Sequence, residues 1–354
     1  MSLTVRKRVW RSVGGASAHP SIGLSRAALA ALIVGFGALA LAGVAVPIEA
    51  QMIVYLVGMI ALNLPHGGYE HFENLRRRRP SFRWRYVATY LVAIGGFVGL
   101  FLLAPVAGLA LALVVAMAKG GIGGVRVLDA TVGTDHLQTR PQRALAAAVR
   151  GGAVMLVPIV FHTDTFYAFS TLMVGLVDSG ALAGAGGRLE AIKTVILVGY
   201  GAALVVHIGL GYIRGGGRSW LVDAGESVLL AAYFAVVPVL VAVGLYFPFW
   251  YSARQVARTA TVDAEPVGDD EWDLVGGDSV SAAALRAWAL MAAGAFATFV
   301  VVAALYVAFP SPFAGSGLLP GAVAFWSVSI SIIALPHVVI GDLLDADRGI
   351  WYVP

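Results

Sequence analysis

The chain has 354 residues, 59% of them hydrophobic and 12% charged, with a mean hydropathy of +0.84, too apolar for polar groups to cover a soluble globular surface. Its net charge is +4 and it has no cysteine, which excludes disulfides, thiolate metal sites, iron–sulfur clusters and C-x-x-C-H haem attachment. The basic residues stand in short blocks beside apolar runs, not in a stripe interleaved with aromatics, so they read as membrane-orienting charge and exclude nucleic acid as a partner.

The amino terminus, MSLTVRKRVWRS, is basic and leads into an apolar run at about 26–46. That run is longer than a signal-peptide core and more follow, which predicts a retained first span. A hydrocarbon layer of about 30 Å needs about 20 apolar residues per helix. Further runs stand at 48–65, 86–103, 105–118, 152–176, 191–212, 227–250, 287–308 and 319–341. The expected fold class is all-α, a polytopic helical membrane protein with about eight or nine transmembrane helices in one bundle. The count turns on whether 86–118 is a tight hairpin or one long tilted helix. In domain terms this is a basic cytoplasmic N-terminus at 1–25, a single helical membrane domain at 26–345 with an acidic loop at 261–279, and a C-terminal tail at 346–354.

Arg6, Lys7, Arg8 and Arg11, then Arg76 to Arg79 with Arg83 and Arg85, flank the first helical pair and place that side in the cytoplasm. The expected location is the cell membrane, multi-pass, with the N-terminus cytoplasmic. The basic stretch from Lys119 to Arg150 reads as a loop returning to that side, and 261–279 as an outside loop. The glycines of GGIGG at 120–124 and GGG at 215–217 read as loop glycines. Neither precedes Lys-Ser/Thr, so phosphate binding has no support.

Ionisable groups at membrane depth are costly and usually face a bundle interior. Four histidines qualify: His66, His162, His207 and His337. His66 and His337 each follow a proline, which frees nearby carbonyls, and Gly67 and Gly68 let the backbone bend closely beside His66. Taken singly, each is a core histidine bonded to a freed carbonyl. Converging, neutral imidazoles suit Fe, Zn or Cu. Glu70, Asp164 and Asp342 stand near three of them, either to orient ring nitrogens or to cap helices.

NLPHGGYEHFENLR, AKGGIGGVRVLDA, YFPFWYSARQVAR and ALPHVVIGDLL resemble, in order, motifs of the Brp/Blh (bacterio-opsin-related protein) family of membrane β-carotene dioxygenases, most like its haloarchaeal Brp members. The similarity covers most of residues 50–345. It implies a multi-span α-helical enzyme in which Fe(2+), held by four histidines, and O2 split β-carotene at the central 15,15′ double bond. The product is retinal, the chromophore of bacteriorhodopsin-type proteins. The implied partners are β-carotene, O2 and membrane lipid, with an opsin or a second copy of the chain as candidate protein partner.

Carried over by residue, His66 stands at the first ligand position, with Glu70 for the family's aspartate. Lys119 stands at the second, with Gly124 where the motif has its acid. Tyr251 and Gln255 hold the two positions where the family has histidines four residues apart on one helical face. His162, His207 and His337 are then substitute ligands, with Glu70 and Asp342 to orient them. Two readings stay open: O2-dependent cleavage at a site rebuilt from other helices, and a non-catalytic carotenoid- or retinal-binding accessory to opsin maturation. A transporter accounts for fewer residues, because the two halves show no matched Gly/Pro interruptions.

Overall fold

The computed structural model describes residues 20–63, 80–254, 280–313 and 315–344. Among these residues the chain is all-α, with eleven α-helices, two π-helical turns and no strand. In chain order they are α1 (Pro20–Leu41), α2 (Ile48–Leu56) running into a π turn at Val57–Asn63, α3 (Pro80–Leu103), α4 (Pro105–Thr131) and α5 (Arg140–Phe161). Then come α6 (Thr163–Gly175), α7 (Ala185–Ile213), α8 (Gly217–Val236), α9 (Val239–Tyr246) running into a second π turn at Phe247–Ser252, α10 (Val280–Ala308) and α11 (Leu318–Leu344). Among the described residues six helices are long and apolar enough to cross a membrane: α1, α4, α5, α7, α8 and the Leu318–Pro336 part of α11. Shorter apolar helices stand at Ile48–Ile60, Val87–Leu103, Val239–Ser252 and Ala292–Ala308.

Prolines set the breaks. Residues 86–118 form two helices, because α3 ends at Leu103 and Pro105, with no amide hydrogen to lose, opens α4. The run at 152–176 is likewise two helices, parted at His162. The run at 227–250 breaks at Val237, which is extended ahead of Pro238 as a residue preceding proline prefers.

Those two runs, 152–176 and 227–250, were expected as single spans, and a loop expectation is overturned as well. Lys119 to Arg150 is not a basic loop: α4 continues to Thr131, α5 begins at Arg140, and the connection is 132–139. GGIGG accordingly lies inside α4, whereas Gly215, Gly216 and Gly217 do form a turn, with φ of 152°, 55° and 80°.

Helix α5 is the axis of the bundle. Of its apolar window 67% is buried, against 11% for α1 and 17% for α7, and it packs on α4, α7 and α8. The largest core cluster joins Leu29 of α1, Val154 and Val157 of α5, Leu230, Tyr233 and Phe234 of α8, and Tyr246 and Trp250 of the α9 segment. A second core holds Phe101 and Leu109 with Leu305, Phe325 and Ile332, tying α3 and α4 to α10 and α11. Tyr55 and Ser327 hydroxyls, 2.6 Å apart, fix α2 to α11. Outward faces keep large apolar side chains exposed, among them Val34, Val195, Val205 and Phe296, as a lipid-facing surface permits.

Candidate functional site

Both π turns fall inside or beside the sequence motifs, and they pack against each other. The first leads from α2 toward Pro65 and His66; the second carries Trp250 and Tyr251. A π turn inside a helix often marks a functional site. In the second, Pro248 supplies no amide to the ladder, so the helix widens there. The two segments meet through glycines: a Cβ on Gly244 would lie 2.6 Å from the Cα of Tyr55, and one on Gly58 would overlap the Gly244 carbonyl. No larger residue at either position allows this approach.

Lys119, midway along α4, reaches this place: its Nζ is 5.0 Å from the centroid of the Tyr251 ring, within cation–π range. The structure thus brings together two positions that the sequence resemblance groups. An aromatic ladder runs to the same point, with centroid separations of 5.4 Å for Phe234–Tyr246, 5.3 Å for Tyr246–Phe247 and 6.1 Å for Phe247–Tyr251.

The glycines of α4 explain how a helix bearing Lys119 fits so tightly into the bundle. A Cβ on Gly121 would collide with the Ala147 carbonyl of α5, and one on Gly151 of α5 with the Met117 carbonyl of α4. The two backbones touch, as small residues allow in membrane helices. One turn apart on the same helix, Gly120 faces the Tyr246 hydroxyl, 3.0 Å from a built Cβ, and Gly124 faces Arg150, with Cδ at 3.2 Å and Nη1 at 3.4 Å.

Arg150 opens a buried ion network that reading for histidines misses. Its Nε and Nη2 donate to Asp223 Oδ1 at 2.9 and 2.7 Å, and Nη2 also to Glu226 Oε2 at 3.0 Å. Arg254 grips Glu226 with both forks, each 2.7 Å, and its guanidinium lies 4.3 Å from the centre of the Trp250 ring. Arg26 of α1 adds two bonds to Glu226 Oε1, at 2.9 and 2.6 Å. Asp223 Oδ2 meets two imidazoles, His136 Nε2 at 2.9 Å and His207 Nε2 at 3.2 Å, and His136 Nδ1 pairs with Ser219 Oγ at 3.2 Å. Arg150, Asp223, Glu226 and Arg254 are each at most 2% exposed. The signal in the sequence was Asp223 and Glu226, three apart and so on one helical face, inside an otherwise apolar run.

The expected ligands fall into separate settings. His207 belongs to the Asp223 network. His162 caps the end of α5 beside the carbonyls of Ala235 and Val237, its Nε2 buried without a hydrogen-bond partner. Asp164 stands in the first turn of α6, where a carboxylate meets a helix N-terminus. His66, Glu70 and Gln255, and the 261–279 loop, lie outside the described residues, as do the side chains of His337 and Asp342 in α11. A pocket of about 450 Å³ opens beside His136, between the 132–138 and 214–219 segments, with Asp135, Arg214, Arg218 and Ser219 in its wall.

Of the positions where the resemblance implies iron ligands, Lys119 and Tyr251 are the two that lie among the described residues, and neither supplies an imidazole. Lys119 offers an ammonium with no lone pair and sets it over the face of the Tyr251 ring. Among the described residues no three His, Asp or Glu side chains are placed to hold a metal ion.

The family model described as beta-carotene 15,15′-dioxygenase matches residues 57–345. The chain is 56% identical, over 330 residues covering 92% of it and 91% of the relative, to the probable beta-carotene 15,15′-dioxygenase Brp of Halobacterium salinarum strain R1, and equally to that of strain NRC-1. It is 30% identical over 328 residues, 88% of this chain and 89% of the relative, to the probable beta-carotene 15,15′-dioxygenase Blh of strain NRC-1. No solved structure matches. The matched span carries both π turns, the glycine face of α4 and the Arg254 clamp, and with it the chain belongs to the beta-carotene 15,15′-dioxygenase family.

Proposed function

We propose that this protein cleaves β-carotene with O2 at the central 15,15′ double bond, giving two molecules of retinal as chromophore for bacteriorhodopsin-type proteins. The observation that carries this reading is the 56% identity, across 92% of the chain, to a relative named for that reaction. The geometry supports it. The substrate is a conjugated hydrocarbon rod dissolved in the bilayer, so binding rests on apolar burial, at about 25 cal/mol per Å². The Phe234–Tyr246–Phe247–Tyr251 ladder makes the bundle interior aromatic and apolar up to Lys119. The Arg254–Glu226 clamp and the Gly58–Gly244 contact hold the Tyr251 end of it still.

The cofactor that belongs with this reading is Fe(2+), with His66 as its family-matched ligand. It would supply O2 activation, while Lys119 and Tyr251 act as walls of the site and not as donors. The protein is multi-pass in the membrane, with the N-terminus and the arginine-rich stretch 71–85 on the cytoplasmic side. Expression in bacterial cells that make β-carotene tests the reaction: retinal accumulates under air, at two molecules per carotene lost, and not under nitrogen. Unchanged β-carotene beside correctly inserted protein overturns the proposal.

A further inference from the structure

We propose a second reactive site at the end of the bundle: a serine esterase centre for small carboxylic esters, with Ser219 as nucleophile, His136 as general base and Asp223 orienting the base. The distances set the roles. Arg150 takes Asp223 Oδ1, which leaves Oδ2 to the imidazole of His136, 2.9 Å from Nε2. An ionised carboxylate only accepts, so Nε2 carries the ring proton and Nδ1 presents its lone pair. Ser219 Oγ lies 3.2 Å from that Nδ1, within the reach of a nucleophile–base pair in an unliganded site. A hydroxyl, an imidazole and a carboxylate linked in this order are recognised by geometry and roles, not by place in the sequence. The ring is also held from its other sides. A Cβ on Gly211 of α7 would stand 3.2 Å from His136 Cδ2, and the His136 carbonyl accepts from Gln142 Nε2 at 3.3 Å. His207 Nε2, 3.2 Å from the same carboxylate oxygen, keeps Asp223 turned toward the imidazoles.

Access separates the three. Asp223 and His136 are 1% and 0% exposed, whereas Ser219, 8% exposed, stands in the wall of the pocket of about 450 Å³. Ser219 is the third residue of α8, whose first-turn amides have no intrahelical acceptor, and its N-cap, Gly216, brings no side chain to meet them. Gly217 and Arg218 share that wall, so donors for an oxyanion stand next to the hydroxyl in the chain. In the reaction Oγ adds to the ester carbonyl carbon while its proton passes to His136 Nδ1. The bond from that carbon to the alcohol oxygen then breaks, and the proton goes to the leaving alkoxide. Water attacks the acyl-serine in the same way, its proton passing through Nδ1 to Oγ, and an alcohol and a carboxylic acid are released. Among the described residues Val132 is the one large apolar side chain of the wall, beside Asp135, Gln138, Arg214 and Arg218. That lining suits an acetyl-sized acyl group on a polar alcohol and gives a fatty acyl chain no trough.

Treatment of the purified full chain in detergent with a fluorophosphonate probe tests the site. Peptide mass spectrometry should find the phosphonyl group on Ser219, and heat-denatured protein should carry none. The same preparation should hydrolyse p-nitrophenyl acetate. Ser219→Ala should abolish both reactions while eluting from a sizing column as wild type does. His136→Gln removes the base and should slow labelling by about 100-fold or more, the contribution of a positioned general base. Should His136→Gln fail to fold, the wild-type label and Ser219→Ala still decide. Folded wild type left unlabelled at Ser219, ester hydrolysis undiminished in Ser219→Ala, or labelling at the wild-type rate in folded His136→Gln each overturns the proposal.

Discussion

Glu226, itself 2% exposed, accepts hydrogen bonds from Arg26, Arg150 and Arg254, three guanidinium groups carried by separate segments. Glu226→Gln keeps the shape and removes the charge, leaving Arg254 buried against a neutral amide. Loss of one member of a buried pair costs about 3–5 kcal/mol, so this variant should melt far below wild type in detergent. Lys119 and Tyr251 carry a second prediction. Because they face each other at 5.0 Å, Lys119→His with Tyr251→His and Gln255→His should raise iron per chain, measured by elemental analysis of purified protein, by replacing a cation with imidazole donors. Unchanged iron would separate these positions from any metal site. The resemblance named both residues from sequence. It did not name Asp223, Arg150 or His136, because a lone charge in an apolar run gives no hint of its partner until the helices are packed.

At the scale of helices, the contact between α4 and α5 is made of backbone. Gly121→Ala drives a Cβ into the Ala147 carbonyl and should destabilise the protein by about 1–3 kcal/mol, as overpacking does. Gly95→Ala in α3, where a Cβ meets nothing within 4 Å, should be neutral or stabilise by about 0.5–1 kcal/mol, since alanine orders a helix at lower entropic cost. Paired melting curves of the two variants check this. The same glycines explain where sequence reading went astray. Glycine marks turns in soluble chains, and with Lys119, Arg126 and Asp129 close by, GGIGG read as a loop; in a membrane helix it is a surface for close approach. Pro105 left 86–118 readable as a hairpin, whereas 152–176 and 227–250 each passed for one span, the first with no proline beside the break at His162 and the second in spite of Pro238. Most apolar runs were legible because bilayer thickness sets their length.

For the molecule as a whole, the 132–139 connection and the 214–219 segment, which runs into the first turn of α8, share one pocket and so lie at one end of the bundle, while α7, 29 residues long, carries the chain from the 176–184 connection across to it. Arg140, Arg214 and Arg218 at that end predict that it faces the cytoplasm. A chain with no cysteine is a clean background for the test: a cysteine at Asp135 should be labelled by an impermeant thiol reagent in inverted vesicles, and one at Gly180 in intact cells. The reverse pattern would invert the topology. The charge network also bears on how the protein is made. A charged residue at the centre of a helix raises its insertion cost by about 2.5–3.5 kcal/mol, and α8, with Asp223 and Glu226, has a window hydropathy of 1.3 against 2.0 for α1 and α5. Its acids follow Arg150 by 73 and 76 residues, and Glu226 follows Arg26 by 200. During synthesis Arg26 and Arg150 therefore leave the ribosome before the carboxylates that pair with them. Arg254 comes last and closes the latch, so that membrane entry of this chain is a joint event of distant helices whose order is written into the order of translation.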